Sequence, residues 1–223
     1  MTGEDESIAL CTCVLESAKK LAQELPAGTR AAIADIVSRY GAMSIDDLVQ
    51  YVDERYPWFT INSKLLGRNA AATRHGNRAR PAVYTTGYEG CSVESFFGGI
   101  LERGIHVIAD VRANPWSRKY GFSGPRLAEF CQRLGLEYQP TPSLGIPSSA
   151  RSELNGFASY QQLLSQYEQT LLPRRVTEVE ALSQLMRRTP TVLVCVEKDV
   201  RLCHRSRLAE AIKSGTELEV VHI

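Results

Sequence analysis

Residues 191–213 read TVLVCVEKDVRLCHRSRLAEAIK, and this stretch decides the fold class. It starts with a short run rich in β-branched side chains, which predicts a buried strand over Thr191 to Val196. A charged loop follows, and a helical pattern then runs from Cys203 to Lys213. A buried strand that leads through a polar loop into a helix is typical of a parallel sheet.

The same alternation continues through the chain from Pro81 onward. The other predicted strands are Ala82 to Thr86, Ile105 to Val111, Leu136 to Gln139 and Leu218 to Ile223. The other predicted helices are Ser92 to Arg103, Pro125 to Leu134, Tyr160 to Leu172 and Val176 to Arg188. This order predicts an α/β domain over residues 81–223, with three layers and a largely parallel sheet. The segment from Gln139 to Gly156 is predicted to be a long loop that lines a site.

Residues 1–63 have a different pattern. Apolar residues at helical spacing predict three helices, and residues 58–61 predict a short strand. Ser44 and Asp47 have the spacing of a capping box at the start of the third helix. Three helices and a strand predict a small, winged-helix-like unit, a class that often binds DNA. The third helix is acidic between Ser44 and Glu54 and would be repelled by phosphates, so a packing or dimerisation unit is an equally good interpretation.

Charge separates these two units. Residues 1–63 contain ten acidic and five basic residues, whereas residues 64–80 contain five basic residues and no acidic one. The stretch 64–80 is therefore predicted to be a basic linker between the helical unit and the α/β domain. It is interpreted mainly as a solvated tether, with contact to nucleic acid as the alternative.

Composition excludes several classes of protein. The 223 residues are 43% hydrophobic and 23% charged, as in ordinary globular proteins, which excludes a disordered or collagen-like chain. No apolar run approaches the roughly 18 residues of a membrane span, and the first residues do not have the pattern of a secretory signal. The six cysteines are then expected to be reduced thiols of a cytoplasmic protein with no membrane partner.

Chemically active side chains follow three of the predicted strands. Tyr88 comes after the first strand, and Asp110 ends the second. Further residues follow the second and fourth strands: Arg112, Trp116, Arg118, Glu197, Arg201, Cys203, His204 and Arg205. Ligands bind beyond the carboxyl ends of the strands in such sheets, so these side chains are expected to converge on one pocket.

Six short motifs occur in order along two-thirds of the chain. They are YTTGYEG at 84–90, DVRANPWSR at 110–118, LG at 144–145, CVEKD at 195–199, CHR at 203–205 and VVHI at 220–223. Together they resemble the successive motifs of the domain of unknown function 488 family, over about residues 84–223. The resemblance implies a compact α/β fold and a cysteine-rich pocket, and it implies no established reaction. The family's usual start, an aliphatic residue and a His-Ser around Thr86 to Glu89, is altered here to Thr86-Gly87-Tyr88-Glu89, so any role of that histidine is absent or taken by Tyr88.

The residues after the strands have two kinds of predicted role. His204, Asp110 and Glu197 are the acid–base candidates, and Cys203 is a candidate thiolate at a helix start. Arginines and aromatic residues suit anions and bases, and the predicted substrate-binding residues are Arg112, Arg118, Arg205, Arg201, Tyr88 and Trp116. Cys195 lies within an apolar strand and is interpreted as a packed core thiol.

Three familiar chemistries fit this loop less well. The spacing from Cys195 to Arg201 matches that of cysteine-dependent phosphatases, but two carboxylates and no glycine make the loop a poor phosphate cradle. The lack of a short glycine-bearing ring also counts against a rhodanese-like sulfur transferase. Adjacent Cys203 and His204 rarely fit one tetrahedron, so no metal site is predicted.

The leading hypothesis is an enzyme acting on a phosphate-containing, nucleotide or nucleic-acid substrate. Two alternatives from other classes remain open. One is a non-catalytic nucleic-acid-binding or regulatory protein that uses the helical unit and the linker, and the other is a thiol- or metal-binding sensor. The sequence specifies no cofactor, reaction or oligomeric state.

Overall fold

The structure is a computed structural model that describes residues 17, 20–56, 79–151 and 156–223. The chain divides into two units between Tyr51 and Val52, and each unit is described by itself. The predicted strand at 58–61 and most of the predicted linker lie outside the described residues. The boundaries expected at residues 63 and 80 therefore stay predictions.

The N-terminal part contains α1 (Ala27–Tyr40) and α2 (Ile45–Arg55), and residues 20–24 are also helical. The capping box is present, because the hydroxyl oxygen of Ser44 accepts a bond from the amide of Asp47 at 3.1 Å. The Asp47 carboxylate in turn accepts from the Ser44 amide at 3.3 Å. No residue of α1 is buried, and its apolar residues Ile33, Ile36 and Val37 are 47%, 57% and 61% exposed in the described structure.

The C-terminal unit is built on a five-stranded sheet in which every strand is parallel. Its strands are β1 (Val83–Gly87), β2 (Val107–Asp110), β3 (Glu137–Pro140), β4 (Thr191–Cys195) and β5 (Val220–His222). They lie in the order β3-β2-β4-β1-β5. The central strands β1, β2 and β4 are buried along their whole length, as is usual for parallel sheets covered by helices on both faces.

Helices cover both faces of this sheet, which confirms the predicted three-layer α/β class. The helices are α3 (Val93–Glu102), α4 (Gly124–Leu134), α5 (Phe157–Gln166), α6 (Val176–Arg188) and α7 (Arg205–Thr216). α3 and α4 pack on one face, and α5, α6 and α7 pack on the other. None of the described helices has the length and apolar character needed to cross a lipid bilayer.

Two predicted helices differ from those in the structure. The helix expected to end at Leu172 leaves the α form at Gln166 and continues as a π turn over Tyr167–Leu171. Pro173 follows in a 3₁₀ turn, because proline has no amide hydrogen to continue a helical ladder. The last helix begins at Arg205 rather than Cys203, since a short 3₁₀ turn at Val200–Leu202 precedes it.

The handedness of the connections creates a crevice at the carboxyl edge of the sheet. Right-handed crossovers require the chain to change faces when it reverses direction across a sheet. The chain leaves β2 toward the face covered by α4, and it leaves the neighbouring β4 toward the face covered by α7. The ends of β2 and β4 are therefore followed by diverging loops, and such a divergence is where α/β sheets bind ligands.

Candidate functional site

A cavity of about 200 Å³ lies at the divergence of β2 and β4. Three segments line it: the loop after β2, the loop before α5 and the end of β4. Its wall includes Arg112, Trp116, Ile146, Arg151 and Cys195. The long loop from Gln139 to Gly156 thus contributes to the site, as its sequence predicts. We call this space the strand-end cavity.

Two glycines allow the loops around the cavity to approach each other. A Cβ atom at Gly145 would lie 2.0 Å from the backbone nitrogen of Ala113, in the loop after β2. A Cβ atom at Gly87 would lie 1.9 Å from the carbonyl oxygen of Glu197, after β4. Both positions belong to the quoted sequence motifs, and both need a residue without a side chain because backbone approaches backbone there.

A cluster of five side chains lies beside the cavity, and we call it the thiol cluster. Its members are Cys195, Cys203, His204, Glu197 and Arg151. The sulfur of Cys195 lies 3.2 Å from a carboxylate oxygen of Glu197 and 3.7 Å from Nδ1 of His204. Ligand atoms of Cys195, Cys203 and His204 all lie within 4.8 Å of one another. The structure thus brings together three of the predicted catalytic residues, namely Cys203, His204 and Glu197.

The imidazole of His204 is held in a defined orientation. Its Nε2 atom lies 2.9 Å from the carbonyl oxygen of Val111. A carbonyl oxygen only accepts, so Nε2 carries the hydrogen, and in the neutral ring Nδ1 is left as an acceptor facing Cys195. The ring of Tyr167 packs against the imidazole edge-on, with centroids 5.4 Å apart. The Tyr167 hydroxyl donates to the carbonyl of Leu144 at 2.8 Å, which fixes the tyrosine in turn.

The two thiols of the cluster differ in ionisation. Burial alone would raise the pKa of Cys203, but its hydrogen bonds with Cys195 and His204 outweigh burial and lower that pKa to about 6. The same interaction with Cys203, together with burial, raises the pKa of Cys195 well above its ordinary value. The directions of the two shifts favour a single negative charge on the pair, with Cys203 as the more acidic thiol and Cys195 as the less acidic one.

Arg151 supplies the positive charge of the cluster. One terminal nitrogen donates to the carboxylate of Glu197 at 2.7 Å, and the other lies 3.4 Å from Nδ1 of His204. Burial acts to raise the pKa of Glu197, but the charge of Arg151 outweighs it and the pKa is lowered. Glu197 is therefore ionised. Arg151 also has a buried Nε atom with no hydrogen-bond partner in the described part of the chain.

Asp110 belongs to a second cluster, on the sheet face covered by α3 and α4. It forms a two-point ion pair with Arg112, and both side chains are buried, with exposed fractions of 0% and 3%. Arg112 also donates to the hydroxyl of Tyr88 at 2.9 Å and to the carbonyl of Phe122 at 2.8 Å. The hydroxyl of Tyr138 donates to Asp110 at 2.7 Å. Every polar atom of the Arg112 side chain is thus used within the protein, although the residue lines the cavity.

The other predicted binding residues have different surroundings. Arg205 donates to the backbone carbonyls of Glu197 and Lys198 and so holds the loop after β4 in place. Arg201 is exposed and pairs with Asp199, away from the thiol cluster. Arg118 is exposed as well. Of the exposed residues among them, Trp116 lines the cavity, and Arg118 follows it two positions later in the same loop.

The thiol cluster contains atoms that could bind a soft metal ion such as Zn²⁺. Two sulfurs and one imidazole nitrogen are suitable ligands, and the bond from Nε2 to a carbonyl is common for metal-binding histidines. The guanidinium of Arg151 lies 3.4 Å from Nδ1 of His204, the nitrogen that would bind the metal, and it opposes a further positive charge at that point. The cluster therefore fits a thiol–thiolate pair better than a metal centre.

A family model described as Domain of unknown function DUF488 matches residues 92–212, which is more than half of the chain. The chain belongs to the DUF488 family. The matched range contains both clusters except for Tyr88. Two of the six motifs that carry the resemblance, at 84–90 and 220–223, lie outside it. Neither the curated proteins nor the solved structures contain a match to the chain.

Sequence reasoning missed two members of the thiol cluster of this DUF488 protein. Cys195 is buried, as predicted, but its sulfur faces the cluster rather than a purely apolar core. Arg151 lies 46 residues before its partner Glu197, in a loop with no regular pattern. The available signal was an arginine within the long loop that the sequence already assigned to the site.

Proposed function

We propose that the protein is an enzyme in which Cys195 is the nucleophile and His204 is its base, acting on a small substrate that carries an anionic group. One observation carries the proposal: the bond from Nε2 of His204 to Val111 turns Nδ1 toward the Cys195 sulfur, in the wall of the cavity. A nucleophile, a base and a group that orients the base are the three parts of an activated nucleophile.

The proposed reaction is a group transfer through a covalent intermediate. The Cys195 sulfur attacks the electrophilic centre of the substrate while its proton moves to Nδ1 of His204. The bond to the leaving group breaks, and the leaving group takes that proton from His204. Water or a second substrate then releases the group held on Cys195. The ionised carboxylate of Glu197 favours the positive charge that His204 carries between these steps, and the anionic group of the substrate offsets the opposing charge of Arg151, which lies 3.4 Å from Nδ1.

Arg151 supports the choice of an anionic substrate. Its guanidinium lines the cavity, and its Nε atom is a buried donor without a partner among the described residues. Buried donors in proteins are nearly always hydrogen-bonded, so a ligand that accepts this bond would complete the site. A carboxylate or phosphate oxygen is the acceptor that a guanidinium prefers.

The mouth of the cavity supports a nucleotide as the substrate class. Trp116 lines the cavity, yet 74% of the residue is exposed. Arg118 follows two residues later and is exposed too. An exposed indole suits stacking on a base, and a nearby arginine suits a phosphate. The same two residues would serve the alternative function, a nucleic-acid-binding protein without catalysis.

Alkylation of Cys195 tests the nucleophile and the anionic substrate together. The protein is treated with iodoacetate or iodoacetamide, which differ in charge, and labelling of each cysteine peptide is followed by mass spectrometry. We expect Cys195 to prefer iodoacetate relative to Cys91, a cysteine outside the cluster. In the Arg151→Gln variant this preference falls by about tenfold, because the reagent's carboxylate loses one hydrogen bond to a charged group. Equal preference in both proteins would contradict the role of Arg151.

His204 is tested in the same experiment. The variants His204→Asn and His204→Gln, once circular dichroism shows them folded, are expected to slow labelling of Cys195 by both reagents because the base is lost. Labelling of Cys91 is the internal control and stays unchanged. Unchanged labelling of Cys195 in both variants would show that His204 is not its base.

Fluorescence separates the enzyme from the non-catalytic alternative. In a Trp58→Phe background, Trp116 is the remaining tryptophan of the chain, and we expect a nucleoside phosphate to quench it. Arg118→Gln weakens the binding, most strongly at low salt. Quenching together with an unreactive Cys195 would favour the alternative function, a nucleic-acid-binding protein without catalysis. No quenching with any nucleoside phosphate would exclude the nucleotide as substrate class.

A cytoplasmic location belongs to this proposal, because the thiols of the cluster stay reduced there.

A further inference from the structure

The geometry points to a second chemistry of the thiol cluster: Cys195 and Cys203 form a redox-active dithiol that reduces low-molecular-weight disulfides and ends as a Cys195–Cys203 disulfide. This inference goes beyond the proposed group transfer and does not depend on it. The first reason is proximity, because the two sulfurs lie within 4.8 Å of each other. They flank the loop that joins β4 to α7, so the fold brings the two ends of that loop together.

A dithiol reductant needs one thiol that attacks the substrate and a second thiol that completes the exchange. The positions of Cys195 and Cys203 relative to the cavity indicate which thiol has which role. Cys195 contributes to the wall of the strand-end cavity, from which a small disulfide would approach. Cys203 is as deeply buried as Cys195, but it is not among the residues that line the cavity. The attacking thiol is therefore Cys195, and the thiol that completes the exchange is Cys203.

The cluster also supplies the proton acceptor and the second nucleophile. Nδ1 of His204, 3.7 Å from the Cys195 sulfur, takes the Cys195 proton when that sulfur attacks. Cys203 lies immediately before α7 and next to His204, and a thiolate is stabilised near the positive end of a helix. Both groups needed for exchange are thus in place in the reduced protein.

The exchange balances in two steps. The Cys195 sulfur attacks one sulfur of a small disulfide, forms a mixed disulfide and expels the other sulfur as a thiolate, which takes the proton from His204. The Cys203 thiolate then attacks the Cys195 sulfur, forms the Cys195–Cys203 disulfide and expels the second small molecule as a thiolate, which takes a proton from water. Two electrons pass from the two protein sulfurs to the small disulfide, which becomes two thiols.

The other described cysteines lack this arrangement. Cys91 is partly exposed, and its sulfur has only a long contact of 3.9 Å to the carbonyl of Gly87. Cys131 lies in the apolar core, and burial raises its pKa to about 12. Cys91 therefore controls for the reaction of an accessible thiol that has no neighbouring base or second thiol. Cys131 controls for a thiol that is buried outside the cluster.

The test uses the reduced full chain with oxidised glutathione under anaerobic conditions. Intact mass and peptide mapping follow the products, and the mapping separates Cys11 and Cys13 from the other cysteines. We expect the wild type and the Cys91→Ser variant to lose two hydrogens and to yield the peptide pair joined through Cys195 and Cys203. The Cys203→Ser variant should stop at a mixed disulfide of glutathione on Cys195. The Cys195→Ser variant should form neither product.

Four outcomes would overturn the inference. One is glutathione on Cys91 with no change at Cys195 and Cys203, and another is a stable adduct on Cys195 in the wild type. The third is stoichiometric zinc that leaves the pair unreactive until a chelator removes it. Selective alkylation of Cys195 by iodoacetate without disulfide formation would overturn the dithiol alone and leave the proposed enzyme in place.

Discussion

Removing Arg112 is expected to destabilise the α/β unit strongly. In the Arg112→Met variant, Asp110 stays fully buried and loses both of its bonds to the guanidinium, at 2.7 and 2.5 Å. The hydroxyl of Tyr138 and the backbone amide of Arg112 remain as its donors. The Tyr88 hydroxyl and the Phe122 carbonyl lose a partner as well. The variant therefore contains a buried carboxylate without its counter-charge.

The expected loss follows from the burial of the pair. Breaking a buried ion pair by removing one partner costs about 3–5 kcal/mol. With a urea dependence of about 2 kcal/mol per molar, the unfolding midpoint falls by about 2 M. The double variant Asp110→Asn with Arg112→Met has no uncompensated charge, so it is expected to be more stable than Arg112→Met alone.

Urea denaturation followed by circular dichroism measures these differences. Arg118→Met is the matched control, since Arg118 is an exposed arginine of the same loop, and its effect should stay within about 0.5 kcal/mol. A loss below about 1 kcal/mol for Arg112→Met, or a double variant whose loss equals the sum of the single losses, would refute the assignment of a coupled buried pair.

Three further predictions concern the thiol cluster and the loops around it. The ultraviolet absorbance of thiolate should appear with a midpoint near pH 6, where the lowered pKa of Cys203 lies, and decay below that pH. The Cys203→Ser variant should lose this transition, and a midpoint near the ordinary thiol pKa in the wild type would contradict it. Gly145→Ala should cost about 1–3 kcal/mol in urea unfolding, because its Cβ would meet the backbone of Ala113. Gly98→Ala in α3 is its control, since its Cβ meets nothing within 4 Å, and it should be neutral or stabilising. Elemental analysis of protein purified without chelator should find substoichiometric zinc, because Arg151 opposes a cation next to His204.

Elements with a regular side-chain pattern could be predicted from the sequence. The predicted and observed limits of α6 are the same, Val176 and Arg188, and β4 ends one residue earlier than expected. The helix follows from a periodic pattern of apolar residues and the strand from a short run rich in β-branched residues, and both are local properties of the chain. The helix predicted to run to Leu172 was correct at its centre and wrong at its end, where the π turn at Tyr167 replaces the α form.

The candidate site could be predicted in part. Cys203, His204 and Glu197 follow one strand, so the sequence placed them together correctly. Asp110 was expected beside them, but its side chain lies on the opposite sheet face. Ile108 packs on that same face, and Ala109, between the two, packs on the other. Side chains along a strand alternate between the two sheet faces, so an error of one residue in the alternation assigns a side chain to the wrong face. The sequence predicts where a strand ends only to within about one residue.

The parallel α/β class, and the edge of the sheet where the polar residues lie, follow from the periodicity and order of elements along the chain. Which of those residues meet depends on tertiary packing. Arg151 reaches Glu197 across 46 residues, and the carbonyl of Val111 fixes the imidazole of His204 across 93. Such contacts depend on how loops from different strands pack, and no local pattern of side chains encodes that packing.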